Sequence, residues 1–373
     1  MAGPIQQRLL SDTAAIDADG QATVGGCRLT DLADQFGTPL FVYDEEHLRA
    51  RCREAVAAFG PGVSYASKAF LCGAMARLVV EEGMHIDVST GGELYMARHA
   101  GVPGEKLVMH GNNKSEFELR MAIDEGVHRI VVDSFDELDR LEALHAETGA
   151  TPKILLRITP GVEAHTHEFI STGQDDSKFG FTVSTGLAAV AVERAVVSPA
   201  VELMGVHCHI GSQVFEVGSF ARTVEIMAKF SVPLGLPDLS IGGGLGVAYL
   251  EEDQAATITQ WGEVVQSGCA AAGVTALVTA EPGRAIAAAA AVTLYRVGTI
   301  KELPGLRTYV AVDGGMSDNP RPVLYGSGYE TFLPRVVGQE RTQGVRVVGK
   351  HCESGDLLVR EGWVPDDLVV ELI

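Results

Sequence analysis

Residues 63–70, VSYASKAF, place a lysine directly after a short strand-like segment. The side chains of this segment alternate between two sides, and Lys68 follows its last residue. A lysine usually lies on a solvated surface, where water stabilises its charge. Lys68 instead stands at the carboxyl end of a segment that is predicted to be buried. Its position is explained by a fold that gathers strand ends at a functional site.

Short strand-like segments alternate with helix-like segments along most of the chain. The strands are predicted near 63–67, 85–89, 106–110, 129–133, 153–159, 201–209, 238–242 and 276–280. The first helix is predicted from about Asp44 to Phe59. This alternation indicates an α/β fold and fits a parallel (β/α)8 TIM-like barrel better than an open doubly wound sheet, although both share the pattern.

Polar residues at the predicted strand ends favour the barrel over the open sheet. They are Lys68, Asp87, His110, Asn112, Asp133, Arg157, His209, residues 242–244 and Glu281. The carboxyl ends of barrel strands converge on one mouth, which is where active sites form. Any one of these residues could be an ordinary exposed strand end, but together they predict a shared site.

Both ends of the chain depart from the alternation. Residues 1–43 contain turns and short apolar pairs, and residues 289–373 contain strand-like runs such as VTLYRVGTI and VRVVG. We expect these two segments to form one smaller β-sandwich-like domain. Residues 44–288 would then form the barrel.

Composition limits the partners and the location. The 373 residues carry a formal net charge of −20, which argues against nucleic acid or an anionic membrane as the main partner. The start resembles no signal peptide, and the longest apolar run, from Ala285, is too short to span a bilayer. Six scattered cysteines without a CxxC pair predict reduced thiols in a cytoplasmic protein.

Two glycine-containing loops follow the seventh and eighth predicted strands, IGGGLG (241–246) and AEPGRAI (280–286). Barrels often bind phosphate at these loops, because glycine lets backbone amides approach the anion. The first loop is not a dinucleotide-binding fingerprint, since Val247 stands where that motif requires glycine. A tight turn could explain either loop, but the two together predict a phosphorylated ligand.

A lysine beside a phosphate site suggests pyridoxal 5'-phosphate. Partial desolvation favours the neutral amine of Lys68, which can then attack a carbonyl and hold the cofactor as a Schiff base. Glu281 would face the pyridine nitrogen and keep it protonated, so that the ring withdraws electrons. An ordinary ion pair between Glu281 and Arg284 is the alternative.

The segment GVHCHIGSQ (205–213) places His207 and His209 on one face of the sixth strand and Cys208 on the other. Such a histidine pair can bind a metal ion if other strand ends supply further ligands. Asp87, His110 and Asp133 are candidates for those ligands. A metal site leaves both glycine loops unexplained, so we expect no metal and an imidazole packed against a cofactor ring. Cys208 is expected to be a core thiol.

Seven motifs together resemble the diaminopimelate decarboxylases, a family of barrel-type (fold type III) pyridoxal-phosphate decarboxylases related to ornithine decarboxylase. They are YASKAF, TGQDDSKFGF, HCHIGSQ, IGGGLG, EPGR, DGGMSDNPRPVLYG and GKHCESGD, and the resemblance runs from about Gly37 to Asp367. It implies decarboxylation of meso-2,6-diaminopimelate to L-lysine and CO2, the last step of lysine biosynthesis. It also implies a homodimer with active sites shared across the interface.

The strand ends and the resemblance together assign roles to particular residues. Lys68 would carry the Schiff base and His209 would stack on the ring. The other expected cofactor-binding residues are Asp87, Arg157, Ser212, Gly243, Gly244, Glu281, Pro282, Gly283 and Arg284. The far carboxylate of the substrate would be held by Arg284, Arg321 and Tyr325, since arginine binds carboxylates through two hydrogen bonds.

Cys352 and Glu353 are expected to enter the partner subunit's site. Their charged neighbours predict an exposed loop, where a free thiol is an oxidation liability and is not explained by packing. Cys352 would donate the proton that replaces the lost carboxylate, and Glu353 would bind the distal amine. From spacing alone, Arg321 and Tyr325 could equally belong to a surface loop of the smaller domain.

The sequence leaves three alternative functions open. A decarboxylase of another basic amino acid, such as ornithine or arginine, would leave the paired arginines without a carboxylate. A non-catalytic regulator of the same fold would not need Lys68, and a metal-dependent hydrolase would need the histidine pair. The sequence ends at DDLVVELI, before the tyrosine-containing Gly-Ala-Tyr segment that the resemblance implies. We therefore expect either a substitute group or weakened cofactor binding and activity.

Overall fold

The computed structural model describes residues 2–162 and 173–370. The chain divides into two compact units. The larger unit contains Arg49–Val247 and Ala255–Ala287, and the smaller contains Met1–Leu48, Ala248–Gln254 and Ala288–Ile373. The smaller unit is therefore assembled from both chain ends and one short internal segment.

The N-terminal residues supply the first elements of the smaller unit. These are β1 (Ala15–Ile16), β2 (Ala22–Val24), β3 (Cys27–Arg28), α1 (Leu29–Phe36) and β4 (Leu40–Tyr43). Strands β1, β2 and β3 form a small antiparallel sheet. Helix α1 ends at Gly37, whose φ of +79° suits glycine at a helix end. Helix α2 (Glu45–Phe59) begins in the smaller unit and continues in the larger one.

Eight parallel strands form the barrel of the larger unit. They are β5 (Ser64–Ala66), β6 (His85–Val88), β7 (Leu107–Met109), β8 (Arg129–Val132), β9 (Lys153–Thr159), β11 (Glu202–His207), β12 (Asp238–Ser240) and β13 (Leu277–Thr279), and β10 (Phe181–Thr182) pairs with the end of β9. The first and last strands are joined by hydrogen bonds from Ser64 N–H to Ala280 O (3.0 Å) and from Ala66 N–H to Pro282 O (3.1 Å). All eight barrel strands lie within the predicted segments, and the predicted fold class is confirmed.

Helices follow the barrel strands in the alternating order that the sequence predicts. They are α3 (Gly73–Glu81), α4 (Gly91–His99), α5 (Glu116–Asp124), α6 (Phe135–Thr148), α7 (Leu187–Val197), α8 (Val217–Ser231), α9 (Ile258–Ala271) and α10 (Arg284–Ala287). Strands β6, β7 and β8 are buried along their whole length, as expected for strands covered on both faces. Helix α5 begins with a reciprocal capping box between Ser115 and Glu118, which fixes where the preceding loop ends.

The C-terminal residues complete the smaller unit. The elements are β14 (Ala291–Leu294), β15 (Val297–Leu303), β16 (Arg307–Val312), α11 (Arg321–Tyr325), β17 (Gln343–Val348) and β18 (Leu357–Val364). Strand β14 pairs antiparallel with β4, which joins the two chain ends. Strands β15 to β18 form a mixed sheet in which only β16 and β17 are parallel. Its core contains buried Val297, Val310 and Val364.

Within the described ranges, no helix is both long enough and apolar enough to cross a membrane.

Candidate active site

Lys68 lies in a single 3-10 turn, Ser67–Ala69, directly after β5. The residue as a whole is exposed, but protein atoms crowd its ammonium group. Desolvation and the positive charge of Arg157 lower the pKa of Lys68 below that of an ordinary lysine, while Glu281 and Asp87 oppose the shift. The strand end therefore favours the neutral, nucleophilic amine more than a surface position would.

Glu281 follows β13 at the barrel mouth. Its Oε1 accepts a hydrogen bond from Ser240 Oγ at 2.6 Å, and its Oε2 lies 2.9 Å from His207 Nε2. Burial alone would raise the pKa of Glu281, but its interactions with His207, His110 and Ser240 lower it below the ordinary value. Arg284, the alternative partner considered for Glu281, donates instead to Ser212 Oγ at 3.1 Å. Glu281 is thus arranged to remain an anion.

Asp87 is a second buried carboxyl group, at the end of β6. Burial raises the pKa of Asp87 well above its ordinary value, and the nearby charge of Glu281 adds to this shift. His110 Nε2 lies 3.5 Å from Asp87 Oδ1 and 3.9 Å from Glu281 Oε1. Desolvation lowers the pKa of His110 to about 3, so this imidazole is neutral between the two carboxyl groups. The two carboxyl groups therefore differ in how readily they ionise, Glu281 more readily and Asp87 less readily than an ordinary carboxyl group.

His209 follows β11 and faces the glycine loop. Its Nδ1 accepts a hydrogen bond from the Gly243 N–H at 3.1 Å, so a neutral ring carries its proton on Nε2. Burial and the charges of Lys68 and Arg157 lower the pKa of His209 well below its usual value. A neutral imidazole of fixed tautomer is suited to packing against an aromatic ring. The intervening Cys208 is fully buried, as expected for a core thiol.

The loop 242–244 admits no side chain at any of its three positions. A Cβ on Gly242 would lie 2.2 Å from the Cys208 carbonyl oxygen, and one on Gly243 would lie 2.2 Å from that of Glu281. A Cβ on Gly244, whose φ is +114°, would lie 2.2 Å from the Gly211 oxygen. Backbone that approaches this closely can present its N–H groups to a ligand without hindrance.

Residues 280–283 connect the last barrel strand to helix α10. A Cβ on Gly283 would lie 3.0 Å from atoms of Ala66, so this loop packs directly against the strand that carries Lys68. Pro282 accepts the Ala66 N–H that closes the barrel. Arg284 opens α10 and reaches Ser212, which brings two of the predicted ligand-binding residues into contact.

Arg157 lies inside the barrel on β9. Its Nη1 is 3.7 Å from Asp133 Oδ1, and its guanidinium lies 4.1 Å from the centroid of the Phe179 ring. Asp133 also accepts the Gly180 N–H at 3.1 Å. Burial lowers the pKa of Arg157, and its positive charge contributes to the lowered pKa of Lys68.

Arg321 and Tyr325 lie at the two ends of α11 in the smaller unit. The Arg321 guanidinium is 5.2 Å from the Tyr325 ring centroid and 5.9 Å from that of Tyr249, and its Nη2 donates to Ser327 Oγ at 3.2 Å. Its Nε is buried with no hydrogen-bond partner among the described residues. The Arg321 guanidinium is thus a cation with two tyrosine rings nearby in the smaller unit.

Cys352 and Glu353 are exposed in the loop between β17 and β18, as predicted from their neighbours. Buried Asp356 organises this loop, because its carboxylate accepts the N–H groups of Met316 (2.6 Å) and His351 (2.8 Å). Glu353 Oε1 accepts the Gly355 N–H at 3.1 Å within the same turn. The thiol is thus presented by a loop with a defined backbone.

The predicted metal alternative has a partial counterpart in the structure. His110, His207 and Glu281 each place one potential ligand atom within 4.8 Å of the others. Glu281 already receives hydrogen bonds from two donors, and His209 is bonded to Gly243. Among the described residues, this cluster thus includes His207 of the predicted histidine pair but not His209, which is bonded to the glycine loop.

Sequence reasoning missed a buried pair behind the site, Lys114 and Glu137. Lys114 Nζ lies 2.8 Å from Glu137 Oε1 and donates to the carbonyl oxygens of Gly111 and Val131, each at 2.7 Å. Glu137 Oε2 accepts the Asp133 N–H at 3.0 Å. Nothing in the sequence around Lys114 indicates burial, because its partners lie on other elements of the fold. Ser240, also missed, carries no sequence signal beyond its strand end.

Comparisons with known proteins agree with this geometry. Residues 45–288 match the family model described as "Pyridoxal-dependent decarboxylase, pyridoxal binding domain". The chain is 46% identical to a diaminopimelate decarboxylase of Mycobacterium tuberculosis over 373 residues, covering 94% of this chain and 83% of that protein. It is 43% identical to the diaminopimelate decarboxylase of Bacillus subtilis, covering 96% and 85%.

Comparison with solved structures also finds decarboxylases of similar fold. The crystal structure of diaminopimelate decarboxylase from M. jannaschii in complex with L-lysine is 32% identical, with a TM-score of 0.89 and coverage of 97% of this chain and 86% of that one. A lysine/ornithine decarboxylase from Vibrio vulnificus is 23% identical, with a TM-score of 0.77 and coverage of 92% and 88%, and shares the fold.

Proposed function

Because this chain belongs to the diaminopimelate decarboxylase family of pyridoxal-dependent decarboxylases, we propose that it converts meso-2,6-diaminopimelate to L-lysine and CO2, the last step of lysine biosynthesis. The observation that carries this proposal is the barrel mouth in which Lys68, Glu281 and the glycine loop come together. The proposed barrel domain is 44–288, with 1–43 and 289–373 in the smaller domain.

The residues at the barrel mouth fit pyridoxal 5'-phosphate. The three glycines leave a cradle that side chains would fill, and Ser212 and Gly244 offer donors for a phosphate. Anionic Glu281 suits a protonated pyridine nitrogen, and neutral His209 suits the ring face. When bound, this cofactor accepts the electron pair that remains as the carboxylate leaves the substrate.

Lys68 would hold the cofactor through its side-chain amine. Its lowered pKa increases the fraction of neutral amine available for this role. Asp87, His110 and Glu281 hold the nearby protons in a fixed pattern, with Glu281 the anion and His110 neutral.

The distal end of the substrate carries both a carboxylate and an ammonium group. Arg321, with its buried Nε, is the proposed carboxylate ligand, assisted by Arg284 and Tyr325. Glu353 is the proposed ligand of the distal ammonium. Ornithine has no distal carboxylate, so this set of cations favours diaminopimelate.

We further propose a homodimer in which the partner subunit's Cys352 returns a proton to the reacting carbon. The exposed thiol on an ordered loop supports this role. A cytoplasmic location is proposed as well, supported by six cysteines that are all free thiols in the structure.

Turnover of meso-diaminopimelate and of ornithine by the loaded enzyme tests the proposal. We expect a strong preference for diaminopimelate and no CO2 release by Lys68→Ala. Arg321→Met should lower kcat/KM for diaminopimelate by about 10²-fold or more, because a charge-assisted bidentate contact is lost, and should leave the weak turnover of ornithine unchanged.

Arg296→Met is the matched control, because this exposed arginine of the same unit pairs only weakly with Asp34 at 3.2 Å. It should leave both substrates unaffected. A preference for ornithine, or diaminopimelate turnover that survives Lys68→Ala, would contradict the proposed function.

A further inference from the structure

Two loops at the barrel mouth are joined along their backbones. The segment after β11 and the segment after β12 pair through hydrogen bonds from Val214 N–H to Gly244 O (2.9 Å) and from Gly246 N–H to Val214 O (3.0 Å). Gly244 also approaches Gly211 so closely that a Cβ would lie 2.2 Å from the Gly211 oxygen. Ser212 and Gly244, both proposed to bind the cofactor phosphate, therefore belong to one joined structure.

Gln213 has an unusual backbone in the middle of this structure. Its φ is +61°, a left-handed conformation that residues with a Cβ rarely adopt. Every other positive φ among the described residues belongs to a glycine. If the turn required only this conformation, glycine would serve it better, so the side chain of Gln213 must contribute something that glycine lacks.

The side chain of Gln213 binds both polar backbone groups of Val247. Its Nε2 donates to the Val247 carbonyl oxygen at 2.7 Å, and its Oε1 accepts the Val247 N–H at 3.3 Å. The Gln213 amide thus makes the two hydrogen bonds to Val247 that the backbone of a neighbouring strand would make. It extends the pairing of the two loops beyond Gly246. A carboxylate of the same size could accept the N–H but would set an anion against the carbonyl oxygen.

We propose that Gln213 is a positioning residue for phosphate binding, which clamps the Ser212 loop to the glycine loop in the register that binds the anion. This inference rests on the proposed function, because it assumes that the phosphate of pyridoxal 5'-phosphate occupies these loops. Ser212 directly precedes Gln213, and its Oγ accepts a hydrogen bond from Arg284 Nη2 at 3.1 Å. Without the two hydrogen bonds to Val247, the segment that carries Ser212 is held less firmly to the end of the glycine loop.

The test compares two aldehydes that differ only in the phosphate. The cofactor-free protein is titrated with pyridoxal 5'-phosphate and with pyridoxal, and binding is followed by visible absorbance. Gln213→Glu should raise the Kd of pyridoxal 5'-phosphate by about tenfold or more, because a donor is replaced by a repelling charge beside the phosphate cradle. The Kd of pyridoxal should change by no more than about twofold.

Gln7→Glu is a matched control, because Gln7 Nε2 also donates to a backbone carbonyl, that of Ala14 at 2.9 Å, in the smaller unit. It should leave both affinities unchanged. Gln213→Gly relieves the backbone strain while removing the clamp, so it is expected to fold and to show the same phosphate-selective loss. If Gln213→Glu does not fold, the Kd values of Gln213→Gly for the two aldehydes decide the test.

Equal weakening for both aldehydes would mean that Gln213 only maintains the barrel mouth, and no weakening for either would mean that its side chain is dispensable. Both results overturn the inference but leave the proposed function intact. Failure of the unsubstituted protein to bind pyridoxal 5'-phosphate is a separate outcome, which overturns the proposed function and this inference together.

Discussion

The charge of individual residues in the barrel depends mainly on burial and on hydrogen-bond donors. Asp87 and Glu281 are both buried carboxyl groups, yet their pKa values shift in opposite directions. Glu281 receives hydrogen bonds from Ser240 and His207, whereas burial and the charge of Glu281 dominate at Asp87. How readily the same chemical group ionises therefore depends on its neighbours.

Two histidines at the opposite end of the barrel predict how stability depends on pH. The rings of His85 and His128 pack edge to face at 4.8 Å, and desolvation lowers the pKa of each to about 4. The unfolded chain then binds more protons than the folded chain between about pH 6.5 and pH 4. The free energy of unfolding should fall as the pH falls through this window and should be insensitive to these two groups above it.

The double substitution His85→Phe/His128→Phe should flatten this dependence. Both histidines should contribute to the loss between about pH 7 and pH 5, and removal of both removes that part of it. Urea unfolding at the two pH values measures the difference. Exposed His99 is the control position, and His99→Gln should retain the full loss. If the free energy of unfolding of the double variant falls with pH as steeply as that of the unsubstituted protein, desolvation of these two histidines is not the cause of the loss.

At the scale of the element, the buried Lys114–Glu137 pair ties β8 and α6 to the loop after β7. Lys114→Met would leave the Glu137 carboxylate buried without its cation and should reduce the free energy of unfolding by about 3–5 kcal/mol. Lys114→Met/Glu137→Gln should recover part of this loss, because the amide can still accept the Asp133 N–H and carries no charge. Urea unfolding of the single and double variants measures the coupling.

Lys229 provides the comparison for this pair. It is an exposed lysine in α8, and Lys229→Met should change stability by no more than about 0.5 kcal/mol. A loss in Lys114→Met as small as this would mean that the buried pair contributes no net stabilisation. A double variant no better than the single one would mean that the uncompensated carboxylate is not the cause.

The alternation of short strand-like and helix-like segments predicted the barrel elements well, and polar residues mark the ends of the strands. Lys68, Glu281 and His209 could be assigned for the same reason, since strand ends of a parallel barrel share one mouth. The lysine at 114 and the strained glutamine at 213 could not be assigned a role. Their partners lie in other loops, and nothing in a linear sequence indicates which backbone groups will approach them.

At the scale of the whole molecule, the proposed dimer predicts complementation between inactive variants. Cys352→Ala should lower kcat by about 10²-fold or more if Cys352 is the proton donor, and Lys68→Ala should be inactive. When the two variants are mixed, heterodimers contain one site with both residues intact. Activity should return, up to about a quarter of the sites after full subunit exchange.

A mixture of Lys68→Ala with Lys68→Ala/Cys352→Ala is the control and should remain inactive, because no site in it regains Lys68. Subunit exchange is verified with differently tagged chains. If exchange is complete and the first mixture stays inactive, each site takes both residues from a single chain, and the shared-site proposal is wrong.

The assembly of the smaller unit from both chain ends has a consequence for synthesis on the ribosome. Strand β4 emerges early, but its partner β14 is made about 250 residues later, which takes roughly 10–50 s at ordinary elongation rates. All eight barrel strands are translated in that interval. During it β4 has an unpaired edge and an apolar side chain at Phe41, which is still 49% exposed in the finished fold. We therefore expect chaperone protection of this strand edge to benefit the nascent chain while its barrel is being completed.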